Sequence, residues 1–535
     1  MLHRRIGYKI PALIVLIVLA YARTIRYDFI ADDIAGIVNN NNIGNLHYVL
    51  SHYSGIAWAL VRHINYIMGG FDPVHYHITN ILLHVINAIL VYVLIFLISG
   101  KRVAFYVALL FAVHPIATEV VTWISGGSYA LYTAFLLASF ITYIMARTRK
   151  SAVWYGVSLC LFVGGIVTSE KMLVLVPILF IYSFSQGRLK KDFLHLLPYV
   201  AGGIGLILIY VPFVAYRLTM YKQVFALSSE VSNPYILIPV SFSTYLQLLF
   251  WPTGLTLYHV EPITTFGYMA SFFVTALYIG ALYISYKANK HIFFWLCFFV
   301  ISLLPVLTPL RISSFVAERY VYLGAIGMYW LVAYSFTVAE RKYIAGKTAF
   351  VVVSIIIAAL FIRTVDRNSD WKDESTFWTK TVESSPHSYQ AHYNLGTLYM
   401  ERKELNAAIQ ELLIAIELKS NYDLGYQSLG YAYQLNGMND KALASYNMAV
   451  MLNPSLWPSY KNMGAIYLQQ EDYAKAEEMA QKSILLDKHN ADLYTNLGII
   501  YLKQSKKEQA KKAFETALQL DPMYERARYG LSLTK

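Results

Sequence analysis

Long apolar runs, separated by short charged segments, dominate the first 363 residues and constrain the fold of this chain more than any other feature. A bilayer is spanned by about 20 apolar residues in a helix. Unpaired backbone polar groups are not tolerated in lipid, so such runs are expected to form helices. They predict eleven transmembrane helices in an all-α membrane domain, over residues 8–26, 79–99, 103–119, 123–146, 152–168, 172–186, 193–215, 266–286, 291–310, 320–340 and 346–363.

The charges between these runs predict the orientation. Lys and Arg collect in alternate connections, as they do in cytoplasmic loops, which puts the N-terminus in the cytoplasm. A further apolar segment, 235–252, is interpreted as re-entrant or interfacial. Counting it as a span would move Lys287 and Lys290 to the outer side. Whether it spans stays open at this point.

The balance of charge predicts a domain boundary at residue 363. Residues 1–363 carry 25 Lys and Arg against 11 Asp and Glu, whereas residues 364–535 carry 19 against 21. The basic residues are spread between apolar runs, so membrane topology explains them better than nucleic-acid binding does. The two cysteines, Cys160 and Cys297, lie inside apolar runs and predict no disulfide framework.

The acidic residues of the membrane half are one-sided in this topology. Only Asp192 and Glu340 fall on the cytoplasmic side, and the other nine face outward. Acidic residues contribute little to orientation, so their distribution is an independent observation. It predicts that chemistry or ion binding takes place on the outer face.

Two adjacent carboxylates, Asp32 and Asp33, follow the first span directly. An ionised Asp is costly in a membrane, by about 2.5 to 3.5 kcal/mol at a helix centre. We therefore predict that this pair is the reactive centre. The two side chains point different ways on a regular backbone, so we do not expect both to take the same role. The alternative is that the pair only caps a surface helix at Ile34.

Further candidates stand at the outer ends of later spans. Pro115 breaks the third span and leaves His114 and Glu119 at its rim. The fifth span ends in Glu170 and Lys171, which form either a plain interfacial ion pair or a secondary part of the site.

Two arginines, Arg311 and Arg319, flank the outer loop between the ninth and tenth spans, and Glu318 precedes the second of them. Arg is the side chain best suited to bind a phosphate through two parallel hydrogen bonds. From charge alone, snorkelling to lipid headgroups explains these arginines equally well.

A 34-residue period runs from 389 to 524, with Gly, Tyr and Ala in register in each copy. Small residues let the two helices of a unit cross closely, and this pattern is the tetratricopeptide repeat. Such solenoids bind segments of other proteins, so we expect a protein partner. The predicted domain, 364–535, contains a degenerate half-repeat at 371–386, repeats at 389–422, 423–456, 457–490 and 491–524, and a cap at 525–535.

Four motifs in order, followed by the repeats, resemble the transmembrane and tetratricopeptide repeat-containing O-mannosyltransferases, which act on cadherins. The motifs are F-I-A-D-D-I-A-G-I-V-N-N from Phe29, Tyr76–His84, Ala112–Gly126 and Glu318–Leu323. The resemblance covers nearly the whole chain. That family looks like a branch of the GT-C glycosyltransferases, which use a polyprenyl-phosphate-linked sugar on the outer face of the membrane.

The resemblance implies inverting transfer of one sugar, a mannose-like hexose, from a polyprenyl-phosphate donor to a Ser or Thr hydroxyl of a protein that the repeats recruit. It assigns an acid after the first span, here Asp32 or Asp33, to the acceptor. The attacking hydroxyl needs a general base, for which we favour Asp32, with Asp33 or Glu119 orienting the acceptor or holding a metal. It maps the acid of a His-Pro-x-x-x-Glu motif to Glu119, and the Arg of an Arg-Tyr-x-Tyr-Leu motif to Arg319. This chain has Ala117 where the family shows a second His, so the resemblance assigns no role to that His here.

The expected site therefore has three parts. The catalytic residues are Asp32, Asp33 and Glu119. The donor phosphate faces Arg319, Arg311 or Lys171, and the supporting residues are His114, Glu318 and Glu170. A divalent cation is an open alternative for offsetting the phosphate charge, and Asp33 and Glu119 would hold it.

Two alternatives to single-sugar transfer stay open. One is an O-oligosaccharyltransferase that moves a preassembled lipid-linked glycan. The other is a non-catalytic anchor that presents a repeat scaffold. An anchor needs neither eleven spans nor one-sided acids, so the sequence favours an enzyme.

Overall fold

A computed structural model describes residues 9–52, 55–225, 234–260, 264–307, 316–342 and 346–535. The chain divides into two compact units, Met1–Ser385 and Pro386–Lys535. The described residues form helices and turns without a β-strand, so the predicted all-α fold is confirmed.

The first unit contains the apolar helices, connected by short 3-10 and π-helical turns. In chain order the helices are α1 (Lys9–Tyr21), α2 (Leu46–His52), α3 (Ile56–Gly69), α4 (Pro73–Ser99), α5 (Lys101–Val113), α6 (Thr118–Val121), α7 (Gly127–Arg149), α8 (Ala152–Thr168), α9 (Leu175–Ser185), α10 (Leu189–Phe225), α11 (Pro234–Phe250), α12 (Thr265–Ala288), α13 (Lys290–Leu303), α14 (Glu318–Val321), α15 (Ala325–Lys342), α16 (Gly346–Ser369) and α17 (Glu374–Ser384).

The core of this unit forms where α4 packs on α5 and α7, α7 on α8, and α5 on α15. Buried polar groups add directed contacts to this apolar packing. His84 Nδ1 lies 2.7 Å from the Tyr322 hydroxyl, and Asn87 donates to the Ala130 carbonyl at 2.8 Å. Because each buried polar group must find a partner, these bonds fix the α14–α15 connection against α4 and α7.

Among the described residues, five helices are long and apolar enough to cross a membrane: Pro73–Ser99, Ile124–Arg149, Leu189–Ile209, Thr265–Ala288 and Thr348–Ser369. The chain is therefore an integral membrane protein. A sixth span results if α5 and Pro115–Val121, which bend by 55° at their break, count as one. Others, such as α8, are apolar but shorter. The number of eleven spans stays a prediction, as does the placement of 235–252, which forms most of α11.

The first unit extends beyond the boundary that the charge balance predicts at residue 363. Helix α16 runs on to Ser369, and its last turns are buried, with Arg367 and Asn368 only 3% and 2% exposed. Trp371 is buried too, and α17 also belongs to this unit. The predicted half-repeat at 371–386 is therefore grouped with the membrane helices. Its aromatic residues pack there, with the Trp371 and Trp123 ring centroids 6.1 Å apart.

The second unit is a solenoid of helix pairs, which confirms the tetratricopeptide repeats. The four pairs and a final helix are α18 (Tyr389–Glu401) with α19 (Leu405–Leu418), α20 (Asp423–Leu435) with α21 (Asn439–Leu452), α22 (Trp457–Gln469) with α23 (Tyr473–Leu486), α24 (Ala491–Lys503) with α25 (Lys507–Leu520), and α26 (Glu525–Ser532). The repeated glycines stand where helices touch. A Cβ on Gly430 would lie 2.7 Å from the Tyr446 ring, and one on Gly498 2.6 Å from the Phe514 ring.

Candidate active site

The connection from α5 to α7, residues 115–126, carries the centre of the site and is called the acid loop here. Helix α5 ends at Val113 because Pro115 has no N–H to continue the ladder. A 3-10 turn (Pro115–Ala117), the single helical turn α6 and a second 3-10 turn (Ile124–Gly126) follow. Every residue of the acid loop is buried except Ser125, which is half-buried.

His114 anchors the start of the acid loop. Its Nδ1 accepts a hydrogen bond from the Ile116 N–H at 3.2 Å, and its Nε2 donates to the Leu249 carbonyl at 3.0 Å. Both ring nitrogens are thus used to hold backbone. Neither ring nitrogen is left to bind a substrate, and the supporting role of His114 stays a prediction.

Glu119 and Arg319 form a buried ion pair across 200 residues of sequence. Arg319 Nη1 contacts Glu119 Oε1, and the Arg319 backbone N–H donates to Glu119 Oε2 at 2.7 Å. The side chain of Glu119 is 1% exposed and that of Arg319 is 16% exposed. Removing one partner of such a buried pair costs about 3–5 kcal/mol, because the other charge is left uncompensated.

Aromatic rings surround the Arg319 guanidinium. Its carbon lies 4.8 Å from the ring centroid of Tyr320, 5.4 Å from that of Trp123 and 6.0 Å from that of Tyr129. Ring faces attract a cation and exclude water from it. The guanidinium is thus held in one place at low dielectric, where its charge acts more strongly than in water.

Asp33 is tied to the other end of the acid loop. Its Oδ1 accepts from the Ser125 N–H at 2.9 Å and from the Ser125 hydroxyl. Its Oδ2 accepts from the Ile30 N–H at 3.4 Å. Burial raises the pKa of Asp33 to about 7, while these hydrogen bonds act in the opposite direction. The carboxyl therefore changes its charge near neutral pH.

Asp32 is exposed, in contrast to its neighbour. Both residues lie where the chain enters a π-helical turn, Ile34–Val38. The structure therefore gives the two acids different environments: Asp33 holds the acid loop, and Asp32 is accessible to another molecule.

Glu318 pairs with a second arginine, Arg367 at the end of α16. Arg367 Nη2 lies 3.3 Å from Glu318 Oε1, and both side chains are almost completely buried. Burial raises the pKa of Glu318, and the charge of Arg367 opposes that shift. Two acid–arginine pairs thus stand side by side, because Glu318 and Arg319 are consecutive.

Lys171 borders a cavity of about 230 Å³ next to this network. Its ammonium lies 3.1 Å from Glu170 and 5.0 Å from the ring centroid of Tyr129. Tyr129 therefore lies between Lys171 and Arg319. The cavity is lined by Gly55, Trp58, Arg62, Ser128, Tyr129, Tyr132, Thr168, Ser169 and Lys171.

Arg62 is a site residue that the sequence does not single out. It lies on α3, lines the cavity, and approaches the Gly36 carbonyl with Nη1 at 3.5 Å. Gly36 belongs to the turn that follows Asp33. One sequence signal was available: Arg62 is the only Lys or Arg between Arg26 and Lys101, in a segment placed on the outer side.

Two predicted elements stay without structural support. Arg311 lies outside the described residues. Among the described residues, no three or more His, Cys, Asp and Glu side chains gather to hold a metal ion. The carboxylates of Asp33 and Glu119 are already engaged, by Ser125 and by Arg319. These residues do not fit the divalent cation that the sequence leaves as an open alternative.

Family comparisons match both parts of the chain. The family described as dolichyl-phosphate-mannose-protein mannosyltransferase matches residues 55–216, a range that includes Glu119, Ser125 and Lys171. Tetratricopeptide repeat families match residues 389–422, 425–456, 458–490 and 491–524.

Individual relatives extend this similarity over most of the chain at low identity. The protein O-mannosyl-transferase TMTC3 of Mus musculus is 24% identical over 515 residues, which are 85% of this chain and 56% of the relative. The protein O-mannosyl-transferase TMTC4 of Homo sapiens is 25% identical over 485 residues, 74% of this chain and 64% of the relative. The resemblance is confirmed. The chain spans less than two thirds of the length of these relatives.

Among solved structures, the chain is similar to the crystal structure of MamA, with 24% identity and a TM-score of 0.26. The match covers 28% of this chain and 88% of that chain.

Proposed function

We propose that this protein is a GT-C-type membrane glycosyltransferase. It moves one mannose-like hexose from a polyprenyl-phosphate donor to a Ser or Thr hydroxyl of a protein, with inversion, on the extracytoplasmic face. The observation that carries the proposal is the buried Glu119–Arg319 pair, which Tyr129 joins to a cavity lined by Lys171 and Arg62. Similarity to proteins named protein O-mannosyl-transferases supports the sugar and the acceptor class.

The cations fit a phosphate leaving group. In the reaction, the bond from the acceptor oxygen to C1 of the sugar forms while the bond from C1 to the donor phosphate oxygen breaks. The electron pair leaves with the phosphate, whose negative charge grows. Lys171 and Arg62 border the cavity and Arg319 lies beyond Tyr129, so preorganised positive charge surrounds this region. Such charge lowers the barrier because it needs no reorganisation during the reaction.

Asp32 is the proposed general base. A hydroxyl that attacks C1 must lose its proton, and a positioned base contributes about 10²–10⁴-fold to the rate. Asp32 is exposed and able to meet an acceptor, whereas Asp33 is occupied by Ser125. In this proposal the acceptor proton goes to Asp32, and Asp33 orients the turn that carries it.

The cavity favours one sugar over a preassembled glycan. Its volume of about 230 Å³ is below the roughly 300–1,000 Å³ of pockets that bury drug-sized ligands. Trp58, Tyr129 and Tyr132 provide apolar walls, and Ser128 and Ser169 provide hydroxyls. This combination suits the apolar faces and polar edges of a hexose. A non-catalytic anchor would not need the buried pairs Glu119–Arg319 and Glu318–Arg367, so these pairs favour an enzyme.

The repeats are the proposed recruiting unit for the acceptor protein. They form a compact unit of four helix pairs, and solenoids of this kind bind extended segments in a concave groove. The chemistry proposed for the first unit requires only a hydroxyl group on the acceptor. Recognition of one acceptor protein among many is therefore assigned to the repeats.

The test is a transfer assay with purified protein in lipid nanodiscs. Polyprenyl-phosphate mannose is supplied with a Ser- and Thr-containing acceptor, the mass gain of one hexose is measured, and the anomeric configuration is read by NMR. We expect one inverted hexose per event, and loss of transfer in Glu119→Gln. Transfer of an intact glycan from a lipid-linked oligosaccharide would favour the oligosaccharyltransferase instead. Absence of transfer from either donor would contradict both.

A further inference from the structure

The end of α16 contacts the segments that carry Glu119 and Arg319. Most of this helix exposes apolar side chains such as Phe350 and Ile362, at 70% and 67%, as expected for a helix that faces lipid. Its last two turns are different. Thr364, Arg367 and Asn368 are 0%, 3% and 2% exposed and follow the i, i+3, i+4 spacing of one helix face.

Two of these side chains hold the acid loop. The Thr364 hydroxyl donates to the Val113 carbonyl at 2.6 Å, at the point where α5 ends. Asn368 Oδ1 accepts from the Thr122 hydroxyl at 3.0 Å, three residues after Glu119. The loop that carries Glu119 is thus attached to α16 on both sides of that residue.

The same turns hold the two other segments. Arg367 pairs with Glu318 at 3.3 Å and so anchors the residue before Arg319. Asn368 Nδ2 donates to the Ala20 carbonyl at 2.9 Å, near the end of α1. Just beyond the helix, the Lys372 carbonyl accepts from the Asp28 N–H at 3.0 Å, in the segment that leads to Asp32.

An aromatic path connects Arg367 to Arg319 as well. The Arg367 guanidinium lies 5.4 Å from the Trp371 ring centroid, and the Trp371 ring lies 6.1 Å from that of Trp123. Trp123 in turn lies 5.4 Å from the Arg319 guanidinium. A displacement of Arg367 therefore reaches Arg319 through the backbone of Glu318 and through two packed rings.

We propose that Thr364, Arg367 and Asn368 are positioning residues, which fix the Glu119 and Arg319 segments relative to one another from the end of α16. None of the three needs to touch substrate. Arg367 acts through Glu318, and its removal leaves Glu318 buried without a counter-charge and frees the Arg319 segment. The proposed positioning of the two segments does not depend on the proposed function, whereas the expected effect on the rate of transfer rests on it.

A spectroscopic experiment tests the geometry without any activity. The full chain is labelled with 5-fluorotryptophan, and the Trp123 resonance is assigned by its loss in Trp123→Phe. We expect Arg367→Gln to shift or broaden the ¹⁹F resonance of Trp123. Arg363→Gln is the matched control, because Arg363 lies on the same helix, pairs with the exposed Asp366 and makes the same change of charge. An unchanged Trp123 resonance in Arg367→Gln would overturn the proposal.

A kinetic experiment tests the consequence. We expect Arg367→Gln to lower kcat about 10²-fold, as small misplacements of reacting groups do. The donor KM stays within about twofold of wild type, because binding is not what is lost. Arg367→Lys, which keeps the charge, recovers part of kcat, and Arg363→Gln behaves like wild type. An unchanged kcat, or a raised KM at constant kcat, contradicts a positioning role.

A second variant covers the case in which Arg367→Gln does not fold. Thr364→Val preserves shape and removes only the bond to the Val113 carbonyl, so it is expected to fold and to lower kcat at constant KM. Equal kcat for Thr364→Val and wild type would count against the proposal. If wild type itself transfers no sugar, the proposed function fails, and the fluorine experiment still decides whether α16 positions the site.

Discussion

At the residue scale, Asp32 and Asp33 show how two neighbouring carboxylates take different environments. Asp33 is buried and accepts hydrogen bonds from Ser125, 92 residues later in the chain, while Asp32 is exposed. A carboxylate that already accepts three hydrogen bonds from the protein has little freedom to take a substrate proton. The exposed neighbour has that freedom, and its position is fixed by the buried one.

We expect Asp32→Asn to abolish sugar transfer while leaving the protein folded, because the amide cannot accept the acceptor proton. The loss should be about 10²–10⁴-fold, the contribution of a general base. Initial rates with polyprenyl-phosphate mannose and size-exclusion profiles measure both parts. Undiminished transfer by Asp32→Asn, with Asp33→Asn equally active, would remove both acids from the mechanism.

Asp33 predicts a pH dependence of stability. Its pKa is about 7 in the folded protein, against 3.8 as the ordinary value. Between these values the folded state binds more protons than the unfolded state, so stability falls as pH rises. The contribution of Asp33 to the free energy of unfolding is fully present below pH 4 and is lost by pH 7. It amounts to about 4 kcal/mol at most.

The measurement compares melting temperatures of wild type and Asp33→Asn from pH 5 to pH 8. We expect the wild-type value to fall relative to the variant up to about pH 7 and to run parallel above it. Other titrating groups, including Glu318, are common to both proteins and cancel. A constant difference over the whole range would contradict the buried placement of Asp33.

At the scale of elements, the acid loop depends on a close backbone approach. Gly126 has φ −65° and ψ −23°, a conformation open to any residue. The restriction is spatial, since a Cβ there would lie 2.1 Å from the Glu119 carbonyl oxygen. Only a residue without a side chain lets Ser125 reach Asp33 while Glu119 reaches Arg319.

We therefore expect Gly126→Ala to displace Glu119 and lower the transfer rate about 10²-fold, the size expected for a misplacement of about 1 Å. The matched control is Gly156→Ala on α8, where a Cβ meets nothing within 4 Å. Rates are measured on the folded fraction after size exclusion. Equal activity of the two variants would show that the close approach at Gly126 does not position Glu119.

The elements differ in how far the sequence predicts them. The all-α fold and the repeats follow from apolar length and a strict 34-residue period, both of which are local patterns. The break before the acid loop follows from Pro115. The number of spans is harder to predict from the sequence. Helix α1 ends at Tyr21, short of the predicted span 8–26, and the third predicted span bends by 55° at His114. Apolar composition does not reveal such breaks.

No local sequence pattern predicts the contacts that assemble the site. The pair of Glu119 and Arg319 joins residues 200 positions apart. The ends of the predicted spans indicate each residue separately, but no pattern indicates that the two side chains pair. The sequence does not single out Arg62 either, because its aromatic and histidine neighbours are typical of an amphipathic helix on the membrane surface. The charge balance predicts a boundary at residue 363 and so places Arg367 outside the membrane half. Charge balance depends on composition alone, and it does not show that Arg367 is buried against Glu318.

At the scale of the whole molecule, the two compact units suggest a division of labour between chemistry and recognition. We expect an excess of the isolated segment Pro386–Lys535 to inhibit transfer to a full-length acceptor protein, because it competes for the bound segment. Transfer to a short peptide should not change. A tetratricopeptide protein of unrelated sequence is the control. Equal inhibition by both proteins, or inhibition of peptide transfer, would contradict selective recruitment by these repeats.

The orientation in the membrane decides where both units work. Alternate connections carry the Lys and Arg clusters, and the positive-inside rule predicts that these lie in the cytoplasm. In the predicted eleven-span topology nine of the eleven acids of residues 1–363, and the residues after α16, would lie outside. A donor sugar and an acceptor protein would then meet on the outer face, next to Asp32.

Cysteine labelling tests this orientation in a background in which Cys160 and Cys297 are replaced by Ser. Single cysteines are introduced at Ser384, at the end of α17, and at Ser151, between α7 and α8. We expect an impermeant maleimide to label intact cells at position 384 only, and position 151 after permeabilisation, since Arg147, Arg149 and Lys150 predict a cytoplasmic location for that turn. Labelling of 151 without 384 on intact cells would reverse the topology and move the proposed site to the cytoplasmic face.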